Sequence, residues 1–243
     1  MSINGLRSCM DNNSGLEVAL KLIDEANCVI KGDFLSEENT INDYVLTSPK
    51  IEEEKIVKYK SLREYNLQFK DCHSCNNCLG RETVYLGFGG ATPLAAFIGD
   101  GPCPNDRARG KIFSGSEGVE LLNWINAIKL TKQEIYITNM VKCLNVRRLS
   151  SFPCISQISD ELALVKPKAI MVLGQYAARN FFNDKRTIEE YRADKTMKKD
   201  GIPVVVTYHP RDTISKKELK VAVWQDLQRF AACIGIYERI KKA

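Results

Sequence analysis

The chain is 243 residues long, 44% hydrophobic and 27% charged, with a net charge of +5. That composition suits one sizeable globular domain with an appendage and excludes a low-complexity chain or a repeat array. The positive balance is mild, so nucleic acid is permitted as a partner and not demanded. Nine cysteines without a leader peptide or an apolar run of membrane length point to a reducing, cytoplasmic setting and no membrane partner. An odd count makes a poor disulfide framework, and metal ligation accounts better for four of them. Cys9, Cys28 and Cys233 stand alone and read as small buried hydrophobes or incidental thiols.

Residues 1–65 read as a separate helical extension without assignable chemistry. Leu16, Ala19, Leu20 and Ile23 share a helical face within Leu16–Ile30, and Ile51–Phe69 is charged and helical in pattern. The main domain, 66–243, opens on a C-x-x-C formed by Cys72 and Cys75, and Cys143 and Cys154 follow far downstream. Four thiolates from distant parts of one chain hold an iron–sulfur cluster or a zinc ion, and spacing alone leaves both open. His73 and Cys78, beside the first pair, offer a zinc knuckle as the alternative.

Beyond the first cysteines, apolar runs alternate with helical patterns, which predicts a parallel sheet covered on both faces. Strands are predicted at Leu94–Ile98, Ile135–Thr138, Ala169–Leu173 and Pro203–Thr207, and helices at Glu117–Ile128, Ile155–Val165, Tyr176–Phe182 and Lys217–Ile236. The expected fold is therefore a three-layer α/β/α domain on a central four-stranded parallel sheet. Each strand ends in a polar loop: Gly99-Asp100-Gly101-Pro102-Cys103, then Asn139, Gly174-Gln175 and Tyr208-His209-Pro210. Ligands of open parallel sheets bind outside the carboxyl ends of the strands, so Asp100, Asn139 and His209 should meet in one crevice. Gly87-Phe88-Gly89-Gly90 lacks a following helix and is no nucleotide fingerprint.

The order of motifs resembles the family-4 uracil-DNA glycosylases, the iron–sulfur branch of their superfamily, from about Cys72 to about Ala231. Cys75 is followed by Arg81, Gly87 and Gly89 at the family's spacing, and the Gly99–Cys103 loop by Asp106 and Gly110-Lys111-Ile112-Phe113-Ser114-Gly115. Tyr136-Ile137-Thr138-Asn139-Met140-Val141-Lys142-Cys143 matches another family motif. So do the run from Pro203 to Pro210 and Trp224-Gln225-Asp226-Leu227. The chain departs in having Asp100 for a Glu, Cys103 for a Gly, a short loop between the third and fourth cysteines, and Arg211-Asp212-Thr213-Ile214 where the family has apolar residues.

The resemblance implies a glycosylase that hydrolyses the N-glycosidic bond of uracil in DNA. It implies a [4Fe–4S] cluster on Cys72, Cys75, Cys143 and Cys154, DNA as partner, and a monomer. A weakly active or inactive uracil- or DNA-binding homologue, or a glycosylase for another deaminated base, is the alternative. The implied uracil-binding set is Gly99, Asp100, Cys103, Phe113, Asn139 and His209. His209 would stabilise the departing uracil anion with a ring N–H, and Asn139 would read the base edge with its amide. Phe113 would stack on the flipped base, and Asp100 and Asp106 would orient water or stabilise the cationic sugar. Cys103 would fill the space that the methyl group of thymine needs.

Each residue also has a plainer reading. Asn139 caps a turn, Phe113 is core, both aspartates form turns beside Gly and Pro, and a lone His is structural. Basic residues Arg107, Arg109, Lys111, Lys142, Arg147, Arg148, Arg211, Lys216 and Lys217 gather around the same loops. Surface charge often serves only solvation, but at this rim it suits phosphate contacts. Arg109, Lys111, Lys142 and Arg211 are the expected DNA contacts.

Overall fold

The computed structural model describes residues 59–75, 78, 80–145 and 154–241, all within one unit spanning Ile56–Ala243. The expected helix at Leu16–Ile30 and nearly all of the N-terminal extension lie outside the described residues. So do Cys9, Cys28, Arg147 and Arg148.

Helix α1 (Leu62–Phe69) starts where the Ser61 hydroxyl accepts the Glu64 N–H at 3.2 Å, an N-cap that relieves one orphan donor of the first turn. Its Tyr65 packs edge-on against Tyr59 and donates its hydroxyl to the Gln157 carbonyl at 3.2 Å, so the helix that leads into Cys72 is fixed at both ends. Strand β1 (Arg81–Val84) then follows. Next come β2 (Phe88–Gly89), β3 (Ala95–Gly99), α2 (Pro104–Arg109), α3 (Ser116–Ala127), β4 (Ile135–Asn139) and β5 (Cys143–Asn145). The chain continues through α4 (Ile155–Val165), β6 (Ala169–Leu173), α5 (Gln175–Phe182), α6 (Ile188–Ala193), β7 (Lys198–Lys199) and β8 (Ile202–Thr207). Last are α7 (Pro210–Ser215), α8 (Leu219–Cys233) and α9 (Tyr237–Lys241).

The main sheet has six strands in the order β2-β4-β3-β6-β8-β7. The expectation of four is corrected by two short edge strands, β2 and β7. Both pair antiparallel to their neighbours, whereas β4, β3, β6 and β8 run parallel. Two-residue edges carry no alternation to read, and they shield the parallel strands from open pairing. A separate two-stranded ladder joins β1 to β5 and so ties the segment after the first cysteine pair to the chain beyond β4.

Strands β3, β4 and β6 are buried at every position, as parallel strands with both faces covered must be. Successive side chains serve opposite layers. Ala95, Phe97, Met171 and Val205 pack with Leu121 and Ile125 of α3 and Leu227 and Phe230 of α8. Ala96, Ile98, Val172 and Val206 pack with Ile158 of α4, Ala178 of α5 and Tyr191 of α6. This is the three-layer arrangement, with helices on both faces. No helix among the described residues is long and apolar enough to cross a membrane.

One charge pair joins the segment after β4 to α4. Lys142 Nζ lies 2.7 Å from Glu161 Oε2, with side chains only 3% and 0% exposed. The Thr138 hydroxyl donates to the same carboxylate oxygen at 2.7 Å. Lys142 therefore has no face to offer DNA, which corrects its expected role as a phosphate contact. Removing one partner strands the other charge in the core. Lys142→Met is expected to lower stability by about 3–5 kcal/mol in equilibrium urea unfolding. The double variant Lys142→Met/Glu161→Leu should recover most of the loss.

Candidate functional site

The crevice forms where β3 and β4 end side by side, with Gly99 in register with Asn139. A Cβ on Gly99 would lie 2.6 Å from both Asn139 Oδ1 and Phe113 Cζ, so only glycine allows these two side chains to close on the strand end. Asn139 is 1% exposed, and its Oδ1 is buried without a hydrogen-bond partner among the described residues. A buried acceptor left open costs roughly 1–3 kcal/mol, which a ligand donor would recover.

His209 faces the same crevice from the end of β8. Its ring lies 6.2 Å from that of Phe113, with the planes 21° apart. Nδ1 accepts the Arg211 N–H at 3.2 Å, which in a neutral ring leaves the proton on Nε2. Burial holds the imidazole below its ordinary pKa, outweighing the opposing charge of Asp100. Asp100 in turn accepts the Ala177 N–H of α5 at 3.0 Å. Burial raises its carboxyl, against the pull of His209 and of that amide. Gly174, at φ 93°, sits beneath both: a Cβ there would come within 3.1 Å of His209 Cβ and 3.3 Å of Asp100 Oδ1. Sequence reading did not assign Gly174 to the site, although a glycine directly after a buried strand was its signal.

Phe113 is held at φ 54°, a left-handed conformation rare for an aromatic residue. Asp106 holds the loop that forces it. The carboxylate accepts the Cys103 N–H at 2.9 Å and the Ser114 N–H at 2.8 Å, and the residue is 2% exposed. Asp106 is thus a loop anchor at the third position of α2, and its expected role in orienting water is corrected: both oxygens are engaged by backbone. Cys103 is the half-buried N-cap of that helix, its thiol pushed up by burial.

The basic residues divide. Arg109 and Lys111 are exposed, with Lys111 Nζ 4.0 Å from the Phe88 ring centre. Arg211 is exposed but engages Glu117 of α3 at 2.9 Å.

Cys72, Cys75, Cys143 and Cys154 line one cavity of about 210 Å³, together with Arg81 and Lys142. Burial pushes the Cys143 thiol up to about 12, opposed first by Arg81. Arg81 Nη1 also donates to the Cys72 carbonyl. Neither His73 nor Cys78 is among the lining residues. No three His, Cys, Asp or Glu side chains among the described residues converge closely enough for one metal ion. A cubane takes one thiolate on each of four irons and so accepts donors set further apart. The all-sulfur donor set, its spread and the two adjacent cations fit such a cluster better than a zinc knuckle.

Known proteins resemble this chain over most of its length. The model of the uracil DNA glycosylase superfamily matches residues 86–228. The chain is 24% identical over 190 residues to a type-4 uracil-DNA glycosylase of Archaeoglobus fulgidus, covering 72% of this chain and 94% of that one. It is 26% identical over 168 residues to the type-4 enzyme of Thermotoga maritima, covering 66% and 88%. A third type-4 enzyme, from Saccharolobus solfataricus, is 24% identical over 176 residues, or 67% and 81%.

The depressed pKa of His209 has a measurable consequence. Its NMR titration should show a midpoint below the ordinary histidine value of about 6.5. As pH falls past about 6.5 the unfolded chain takes the proton first. The stability contributed by a neutral His209 is therefore full above that pH and is lost as pH falls through the folded pKa. That part of the acid destabilisation should vanish in His209→Gln.

Proposed function

Because the chain belongs to the uracil DNA glycosylase superfamily, we infer that this crevice removes uracil from DNA by hydrolysing the N-glycosidic bond, leaving an abasic site for repair. The observation that carries the reading is the buried, unpartnered Asn139 Oδ1 beside Gly99 and Phe113. Uracil N3–H would donate to this oxygen while the amide nitrogen donates to O4. Cytosine presents a bare ring nitrogen and an amino group there and is refused by the same orientation. Phe113 offers the face on which a flipped base stacks.

Cleavage leaves positive charge on the sugar and negative charge on the departing base. A neutral His209 with its proton on Nε2 can donate to uracil O2 as that charge grows, and the buried site strengthens the bond. Asp100, made more basic by burial, is suited to take a proton from the attacking water and to face the cationic sugar. Cys103 lies on the loop between Asp100 and Asp106, consistent with a part in excluding a C5 methyl. Arg109, at the end of α2, and Lys111, on the loop before Phe113, are exposed where they could meet phosphates. Flipping costs a few kcal/mol and least where pairing is absent, so single strands and G·U mismatches should be favoured.

Cys72, Cys75, Cys143 and Cys154 would hold the [4Fe–4S] cluster. Bound there, it supplies a covalent tie between the start of the domain and the chain after β4. Cys154→Ser is expected to lower the iron and sulfide content of anaerobically purified protein well below the four of each per chain that this cluster requires. It should also open the stretch around Cys72 to limited proteolysis.

The direct test incubates the anaerobically purified protein with single- and double-stranded oligonucleotides containing uracil and scores alkali-labile sites. His209→Ala should slow single-turnover excision by about 10²–10³-fold without unfolding. A wild-type protein that binds these strands and excises nothing would overturn the reading.

A further inference from the structure

A second set of charges meets the strand end that carries His209. Asp226 of α8 is 4% exposed. Its Oδ2 accepts the Thr207 hydroxyl at 2.8 Å and Arg192 Nε at 2.6 Å, and its Oδ1 accepts Arg229 Nη2 at 3.3 Å. Thr207 is the last residue of β8, two before His209. Arg192 of α6 is fixed further, with Nη2 donating to the Ala222 carbonyl at 3.0 Å. Its guanidinium carbon lies 4.7 Å from the Tyr208 ring centre, and Nη1 is 3.5 Å from the Tyr208 hydroxyl. That hydroxyl donates to Glu189 at 3.4 Å. Four elements (β8, α6, α8 and the Tyr208-His209 turn) therefore meet on one carboxylate and one guanidinium.

We propose that Asp226 and Arg192 form a positioning clamp that aims the His209 imidazole by gripping Thr207 and Tyr208. In extended backbone, successive side chains point to opposite sides, and His209 is extended, at φ −71° and ψ 145°. Holding the Tyr208 ring against Arg192 therefore fixes the rotation that carries His209 into the crevice. On the crevice side, the imidazole has one bond from its own chain, the Arg211 N–H. That bond selects the tautomer and leaves the strand end to be set by the contacts to Thr207 and Tyr208. The planar guanidinium supplies both the ion pair and the stacking face, a combination lysine cannot reproduce. Neither clamp residue touches the base, so both are positioning residues.

The inference rests on the uracil-excision reading, and its test separates the two. Arg192→Gln leaves Asp226 paired with Arg229 and Thr207, so the fold should hold. It is expected to lower kcat for uracil excision about 10- to 100-fold, as an ångström-scale misplacement does, with KM changed less than about twofold. Arg192→Lys should recover only part. The acid limb of the kcat–pH profile should move upward, because a loosened His209 regains water and its pKa rises toward the ordinary value. In a His209→Ala background, Arg192→Gln should cost nothing further. Tyr208→Leu removes the gripped ring, keeps the buried ion pair intact, and should reproduce the kcat loss and the pH shift. An active parent in which Arg192→Gln and His209→Ala multiply, or in which the acid limb stays put, overturns the clamp alone. A parent that excises no uracil overturns the excision reading and the clamp with it.

Discussion

The site depends on the close approach of two strand ends. Parallel pairing of β3 with β4 sets Gly99 against Asn139, and the missing side chain of Gly99 is what lets the Asn139 amide and the Phe113 ring converge. Everything else at the crevice is arranged about that point. The β6 strand ends next door in Gly174, again without a Cβ to block Asp100 or His209. A sheet of buried parallel strands is stiff and densely packed, so the core sets the strand ends, and the loop anchored by Asp106 brings Phe113 to them.

Burying polar groups is costly unless each finds a partner, and the domain meets that cost differently at each carboxylate. Asp106 takes two backbone amides, Glu161 a lysine and a hydroxyl, and Asp226 two arginines and a hydroxyl. Asp100 takes only one amide and a neighbouring imidazole, and its carboxyl is raised. Together with the open oxygen of Asn139, this gives the crevice two incompletely satisfied groups facing the place where a base would sit. Asp106 and Asp226 have both carboxylate oxygens engaged, whereas Glu161 uses Oε2 alone and its buried Oε1 has no partner among the described residues.

The same distinction explains what the sequence could reveal. Parallel strands buried on both faces are unbroken apolar runs, so all four were legible to within a residue or two, and the polar residue closing each run marked the crevice. The two-residue edges β2 and β7 have no pattern to carry them. Lys142 looks like one more cation of a basic stretch, because the Glu161 that buries it lies nineteen residues away on another element. Asp106 was legible in principle: an acidic residue three after an N-cap and two after a proline is the mark of a helix start. Thr207, Arg192 and Asp226 are brought together only by the layering of helices on both sides of β8.

Two strand ends turn out to be built alike. At β4, Thr138 donates to Glu161, which pairs with Lys142; at β8, Thr207 donates to Asp226, which pairs with Arg192. The residue or two that follow each threonine are Asn139 and His209. At β4 the same short stretch runs on to Cys143, and the Cys154 N–H returns to the Met140 carbonyl at 2.6 Å. The cysteine cavity and the Asn139 amide therefore share one segment of backbone, hydrogen-bonded from both sides. A staple at those cysteines would act on the crevice through position alone, by limiting how far residues 138–143 can move. Such a staple would have a physical reason to lie near the crevice without touching a bound base.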